Sequence, residues 1–165
     1  SIVTDTGRFR YSNTTPKVLR LAAELVEAGV DVSKISEQIF AGASQEAMEL
    51  TRLALGTIKT QREGRIGFMT LTQSDFKKSK ASDDDTENLI NLVRNLDTVE
   101  VAIFLKERPD GQVKLSLRSK SEINVANVAK LFGGGGHAYA AGAVLSGPLD
   151  KALKAVLSAC QNALK

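Results

Sequence analysis

Phe132-Gly133-Gly134-Gly135-Gly136-His137-Ala138-Tyr139-Ala140-Ala141-Gly142 is the stretch on which the reading of this 165-residue chain turns. Its four consecutive glycines carry no Cβ, so the backbone can take positive φ and lie within van der Waals reach of another group. Successive N–H groups in such a loop can converge as an anion-binding nest. Glycine costs about 1 kcal/mol relative to alanine inside regular structure, so a run of them needs a reason. A flexible linker would be flanked by polar residues; here the flanks are apolar, which favours a loop that grips phosphate. His137, the single histidine, follows at once, and the small residues Ala140, Ala141 and Gly142 come next.

Working outward, Val99 to Leu105 is apolar at nearly every position and reads as a central strand covered on both faces. Arg108-Pro109-Asp110-Gly111 is a turn, with proline presetting φ and glycine accepting positive φ. Its partner strand, Gln112 to Arg118, alternates: Val113, Leu115 and Leu117 point one way, Lys114, Ser116 and Arg118 the other. A helix from about Glu122 to Phe132 leads into the glycine run, and Ala141 to Leu145 forms another strand. Pro148 begins a terminal helix with Leu149, Leu153, Val156, Leu157, Cys160 and Leu164 inward, which makes Cys160 a core residue.

Towards the other end, Ser1 to Gly7 reads as a strand running into a turn, and a start in mid-phrase suggests a fragment of a longer protein. Thr15 and Pro16 are an N-cap and first helical residue, followed by Val18, Leu21, Ala22 and Leu25 at helical spacing, with Gly29 as the stop. Asp31 or Ser33 can cap a second helix carrying Ile35 and Ile39 on one face; Ser44 starts a third, through Met48, Leu50, Leu53 and Ala54 to Gly56. Ile66 to Leu71 is a strand and Lys77 to Asp85 a polar loop, its acidic run Asp83-Asp84-Asp85 solvated and marking a helix start. Leu89, Leu92, Val93 and Leu96 stripe the helix that follows. The whole is an α/β (α+β) chain, a helical connector leading into a mixed sheet with flanking helices.

Apolar residues make up 42% and charged residues 25%, ordinary for a globular domain. No run approaches the ~18 apolar residues of a membrane helix. One cysteine excludes an internal disulfide and fits a cytoplasmic protein, and one His with one Cys cannot build a zinc cluster. The net charge of +3 is too small for bulk nucleic-acid binding, but from Gly111 onward the balance is +5, leaving −2 for the first 110 residues. The positive excess therefore shares a third of the chain with the glycine run, which suits an anionic ligand.

Arg118 lies fifteen residues before Gly133, a distance one helix can span and return. The Ser116 and Arg118 row is either an ordinary wet face or a place where Arg118 takes a phosphate bidentately while glycine N–H groups take its other oxygens. Ser119 lies just beyond that row. His137 could donate to a phosphate oxygen or serve as a general acid. Asp5-Thr6-Gly7 places a carboxylate before a tight turn, a common but unspecific way to hold a divalent cation.

Together the segments Thr4 to Thr14, Asp85 to Asn91, Val99-Glu100-Val101-Ala102, Ser116-Leu117-Arg118-Ser119 and Gly133 to His137 with Ala140-Ala141-Gly142 resemble the C-terminal part of the DHH phosphoesterases. That RecJ-like superfamily is named after an Asp-His-His metal motif, and the subfamily most resembled comprises bifunctional oligoribonucleases and 3′-phosphoadenosine 5′-phosphate phosphatases. The resemblance implies a two-domain enzyme using two Mn²⁺ or Mg²⁺ ions, with Asp5 matching the last metal-ligand aspartate. Arg118, Ser119, Gly133, Gly134, Gly135, Gly136 and His137 match the part that grips the terminal nucleotide and phosphate of a short RNA. The Asp-His-His triplet and the earlier His-x-Asp-x-Asp ligands are absent from this chain, so no catalytic set is complete in it and most metal ligands lie elsewhere.

On that reading residues 1–31 are a remnant of the catalytic domain, 32–62 a helical connector and 63–165 the DHH-associated substrate-binding domain. The full-length enzyme would be a manganese-dependent hydrolase and this piece alone inactive, binding mononucleotides weakly through Arg118. A homodimer is allowed. The alternatives are a noncatalytic nucleic-acid-binding module, as the similar C-terminal domain of alanyl-tRNA synthetases is, and a cyclic-dinucleotide phosphodiesterase of the same superfamily.

Overall fold

A computed structural model describes residues 2–9, 13–40, 42–120 and 123–164, with backbone alone at 38–40. Arg10, Tyr11 and Ser12 of the first motif, Glu122 at the expected helix start, and the side chain of Ile39 lie outside the described residues. The chain divides into two compact units, the first ending at Gly42 and the second starting at Ala43.

The first unit is helical among its described residues: α1 (Ile2–Asp5), α2 (Pro16–Glu27) and α3 (Val32–Phe40). The strand expected at its start is a single helical turn instead. Local hydrogen bonds decide this: Thr6 N–H and hydroxyl both donate to Ile2 O, at 3.1 and 2.7 Å, and Arg8 N–H donates to Val3 O at 2.8 Å. A strand would have needed a partner, and this unit has none among the described residues. The start of α2 follows expectation, with Thr15 Oγ1 accepting from Val18 N–H at 3.3 Å and Gly29 beyond its end at φ 94°. Asp31 rather than Ser33 caps α3, its Oδ1 accepting from Lys34 N–H at 2.9 Å.

The second unit opens with α4 (Gln45–Leu55), capped by Ser44, then β1 (Lys59–Gln61), β2 (Ile66–Leu71), α5 (Gln73–Ser79), a 3-10 turn (Asp84–Thr86) and α6 (Leu89–Arg94). It continues with β3 (Val101–Glu107), β4 (Gln112–Ser119), α7 (Val125–Lys130), β5 (Gly135–His137), β6 (Ala140–Ser146) and α8 (Leu149–Ala163). The six strands form one sheet in the order β1-β2-β3-β4-β6-β5, with β2 and β3 parallel and every other pair antiparallel.

Two differences from the sequence reading concern helices. The polar stretch from Lys77 holds the end of α5, whose start is a capping box: Thr72 Oγ1 accepts from Asp75 N–H, and Asp75 Oδ2 accepts from Thr72 N–H at 2.8 Å. Seven residues with one large apolar side chain, Phe76, carry too little periodicity to announce a helix, but a reciprocal cap is enough to start one. In the other case α7 is shorter than expected, because Asn124 Oδ1 accepts from Ala126 N–H at 3.0 Å and sets its start there.

The core lies on both faces of the sheet, but not equally. One face packs Ile103, Leu105, Leu115 and Leu117 under α7 and α8, with Val128, Val156 and Cys160 among the facing residues. The other packs Met69, Leu71, Ala102 and Phe104 under α4 and α6. This second layer belongs to β2 and β3, and no residue of β4, β5 or β6 joins it. Strands covered twice are apolar throughout, and β3 is buried at Val101 through Lys106; strands covered once alternate, as β4 does.

Candidate functional site

Beyond that apolar layer, the part of the second face made by β4, β6 and β5 carries three of the expected site residues, Arg118, Gly135 and His137. Residues directly opposite in antiparallel strands share a face, and the register sets Arg118 against Ala140, and Ala140 against His137. Arg118 and His137 therefore stand in one row across β4, β6 and β5, about 10 Å apart at two strand spacings. The next row inward is Ser116, Gly142 and Gly135, and the one after it Lys114 with Val144. Lys114, Val144 and His137 are exposed; Arg118, Ser116, Ala140, Gly142 and Gly135 are half-buried. The result is a floor of very small residues with cation and imidazole at one end. Arg118 is partly anchored, Nη1 donating to Leu117 O at 3.0 Å.

The glycine run serves this surface differently from a nest of free N–H groups. Gly133 N–H donates to Lys130 O at 3.1 Å and Gly134 N–H to Ala129 O at 3.0 Å, so both finish α7. The chain then enters β5, which turns back through Ala138 and Tyr139 to pair with β6. Two of these glycines are required by packing. A Cβ on Gly134 would run into Gly142 O and stand 2.5 Å from Ala143 Cβ; one on Gly136, at φ 141°, would stand 2.5 Å from Ala140 O. Gly135 differs, since a Cβ there would meet nothing within 4 Å. Its bare backbone is thus not demanded by the fold.

Ser119, expected beside Arg118, occupies the opposite row of β4 with Leu117 and is 1% exposed. The alternation of a strand puts consecutive residues on opposite faces, so it cannot share the surface of Arg118. Asp5 ends α1, not a strand; it is exposed, and its carbonyl oxygen accepts from Asn13 Nδ2 at 3.0 Å. Among the described residues no three His, Cys, Asp or Glu side chains gather where they could hold a metal ion. One exposed carboxylate does not hold a metal ion alone, so Asp5 could supply a single ligand to ions held mainly by other residues.

The sequence reading missed Lys106, which is 3% exposed in a strand otherwise read as apolar. Its ammonium donates to Thr86 Oγ1 at 2.6 Å and pairs with Asp83 Oδ1 at 2.6 Å, tying the acidic segment to the sheet. Asp83 was expected to be simply solvated; its side chain is 66% exposed yet ion-paired. The signal was one lysine following five apolar residues in the strand, a position that needs a partner when buried.

With this geometry in hand, the comparison with known proteins is direct: the family model described as the DHHA1 domain matches residues 66–164. The chain belongs to the DHHA1 domain family. The DHHA1 match spans β2 to α8, hence every row of the open face. The chain is 36% identical over 164 residues to the "bifunctional oligoribonuclease and PAP phosphatase NrnA" of Thermus thermophilus, covering 99% of this chain and 48% of that protein. It is 30% identical over 159 residues to the protein of the same name in Mycoplasma genitalium, covering 96% and 48%. Among solved structures, an exopolyphosphatase-related protein from Bacteroides fragilis superposes with a TM-score of 0.92 at 26% identity, over 98% of this chain and 48% of that one. The chain thus spans about half the length of the curated relatives it matches. Among the described residues no helix is long and apolar enough to cross a membrane.

Proposed function

We propose that this chain is the substrate-holding part of a phosphoesterase that acts on short oligoribonucleotides, on 3′-phosphoadenosine 5′-phosphate, or on both. The observation that carries the reading is the row formed by Arg118, Ala140 and His137 beside the bare backbone of Gly135 and Gly142. Arg118 supplies a planar, permanently charged fork for a terminal phosphate. His137 supplies a ring N–H to a phosphate oxygen from two strands away in the same row. The small floor lets a ribose or base lie on the strand backbone, where side chains would hold it off. Names of the relatives sharing nearly the whole chain supply the substrate class. The reading assigns metal binding to residues beyond those described, with Asp5 the single contribution from them, and leaves this chain without hydrolytic activity of its own.

The test is binding and turnover together. Calorimetry should show 3′-phosphoadenosine 5′-phosphate and a diadenylate binding the 165-residue chain weakly, and Arg118→Ala should weaken both at least about tenfold, the loss of a charge-assisted pair. Unchanged binding by Arg118→Ala removes the assigned role. Release of phosphate or mononucleotide by the chain alone with added Mn²⁺ overturns its inactivity.

A further inference from the structure

A cleft of about 530 Å³ opens farther along the same sheet face, with Phe76, Asp83, Arg108, Pro109, Lys114 and Val144 among its lining residues. We propose that it is a distal subsite for a single-stranded oligoribonucleotide whose terminal phosphate is held at Arg118 and His137. This rests on the function proposed above and extends it from the terminal nucleotide to the length of the substrate.

Register supplies the path. Lys114 belongs to the same row of β4 as Ser116 and Arg118, and it faces Val144 on β6. Four residues of strand separate Lys114 from Arg118, about 14 Å at ~3.4 Å per residue. At ~3.4 Å per stacked nucleotide that is room for up to about four nucleotides, and fewer in an extended chain. Between the two ends the floor is Ser116, Gly142 and Gly135, so no bulky side chain interrupts the track.

Charge supplies the sign. The cleft's carboxylate, Asp83, is countered by Lys106 at 2.6 Å, and Arg108 is paired with Asp110 at 3.4 Å. Lys114 is exposed and among the described residues has no ion-pair partner, so its charge is left over for a phosphate. Phe76, partly buried against the core, joins Pro109 and Val144 as apolar wall, and a cleft lined by both an aromatic ring and a cation is what a base and its phosphate require.

The experiment compares a diadenylate with a pentaadenylate on the 165-residue chain by fluorescence anisotropy across a salt series. The pentaadenylate should bind about 5- to 150-fold tighter, the range for one added base–aromatic contact. Lys114→Ala, at an exposed position, should erase that gain, leave the diadenylate unchanged, and reduce the pentaadenylate's log–log salt slope by about 0.7. Phe76→Leu should reduce the gain without altering the slope. Equal affinity for both lengths, a gain that survives Lys114→Ala, or a loss shared by the diadenylate overturns the subsite and leaves the proposed function standing. Failure of both oligonucleotides to bind removes the oligoribonucleotide half of the proposed function, and the subsite with it.

Discussion

Adding one methyl group at Gly134 and, separately, at Gly135 distinguishes what the fold needs from what a ligand needs. At Gly134 the new Cβ meets Gly142 O, a backbone atom fixed in β6, and Ala143 Cβ at 2.5 Å. Neither can move aside without disturbing the sheet, so Gly134→Ala should cost about 1–3 kcal/mol, the usual range for overpacking. For a chain of this length each kcal/mol lowers Tm by about 2–4 °C, giving a drop of about 2–12 °C. At Gly135 the Cβ meets nothing within 4 Å and φ is not positive, so no strain opposes it. Gly135→Ala should leave Tm within about 2 °C, or raise it slightly by restricting the unfolded chain. Gly135 nevertheless lies on the floor beside Ser116 and Gly142, where a methyl would lift a bound nucleotide from the backbone. Its affinity for 3′-phosphoadenosine 5′-phosphate should fall at least about tenfold, or ~1.4 kcal/mol. Calorimetric melting and titration of the two variants measure both quantities. Equal destabilisation would refute the packing argument, and a Gly135→Ala protein that binds normally would refute the placement of the ligand.

Two further predictions concern groups away from that floor. Asp83→Asn strips the counter-charge from an ammonium whose side chain is 4% exposed and should cost about 3 kcal/mol, whereas Lys106→Met keeps the stem, removes the charge and should cost less than about 1.5 kcal/mol. Urea midpoints in the reverse order would show that the Asp83 pair is not what holds Lys106 in place. Burial pushes the Cys160 thiol up to about 12 from 9.0, so the folded chain holds it neutral where the unfolded chain ionises it. That contribution is complete below pH 9 and is lost between 9 and about 12, at up to ~1.36 kcal/mol per pH unit. Stability measured by urea in that window should therefore fall less steeply for Cys160→Ala; identical slopes would contradict the assignment.

Much of the architecture was legible because hydrophobic pattern reports burial. A run from Val99 to Leu105, apolar everywhere but Glu100, meant cover on both faces, and the alternation from Gln112 to Arg118 meant cover on one. Caps at Thr15 and Ser44 placed two helix starts for the same local reason. The failures were equally physical. Ile2 to Asp5 has strand-forming residues, but hydrogen bonds from Thr6 and Arg8 win where the described residues of that unit offer no partner strand. The helix at Gln73 depends on a two-residue cap rather than on any period. Lys106 hid within an apolar strand because its partners, Thr86 and Asp83, are about twenty residues away in sequence.

By itself the sequence determined that bare backbone, an arginine and the sole histidine would occur in one positively charged third of the chain. Composition and order along the chain carry that information directly. Only the tertiary structure decided which of them share a surface. Register sets Arg118 and His137 in one row, sends Ser119 to the buried side, and separates the glycines that packing requires from Gly135, which packing does not. A one-residue step along a strand reverses the face a side chain occupies, and that parity is fixed by pairing between strands rather than by any residue alone.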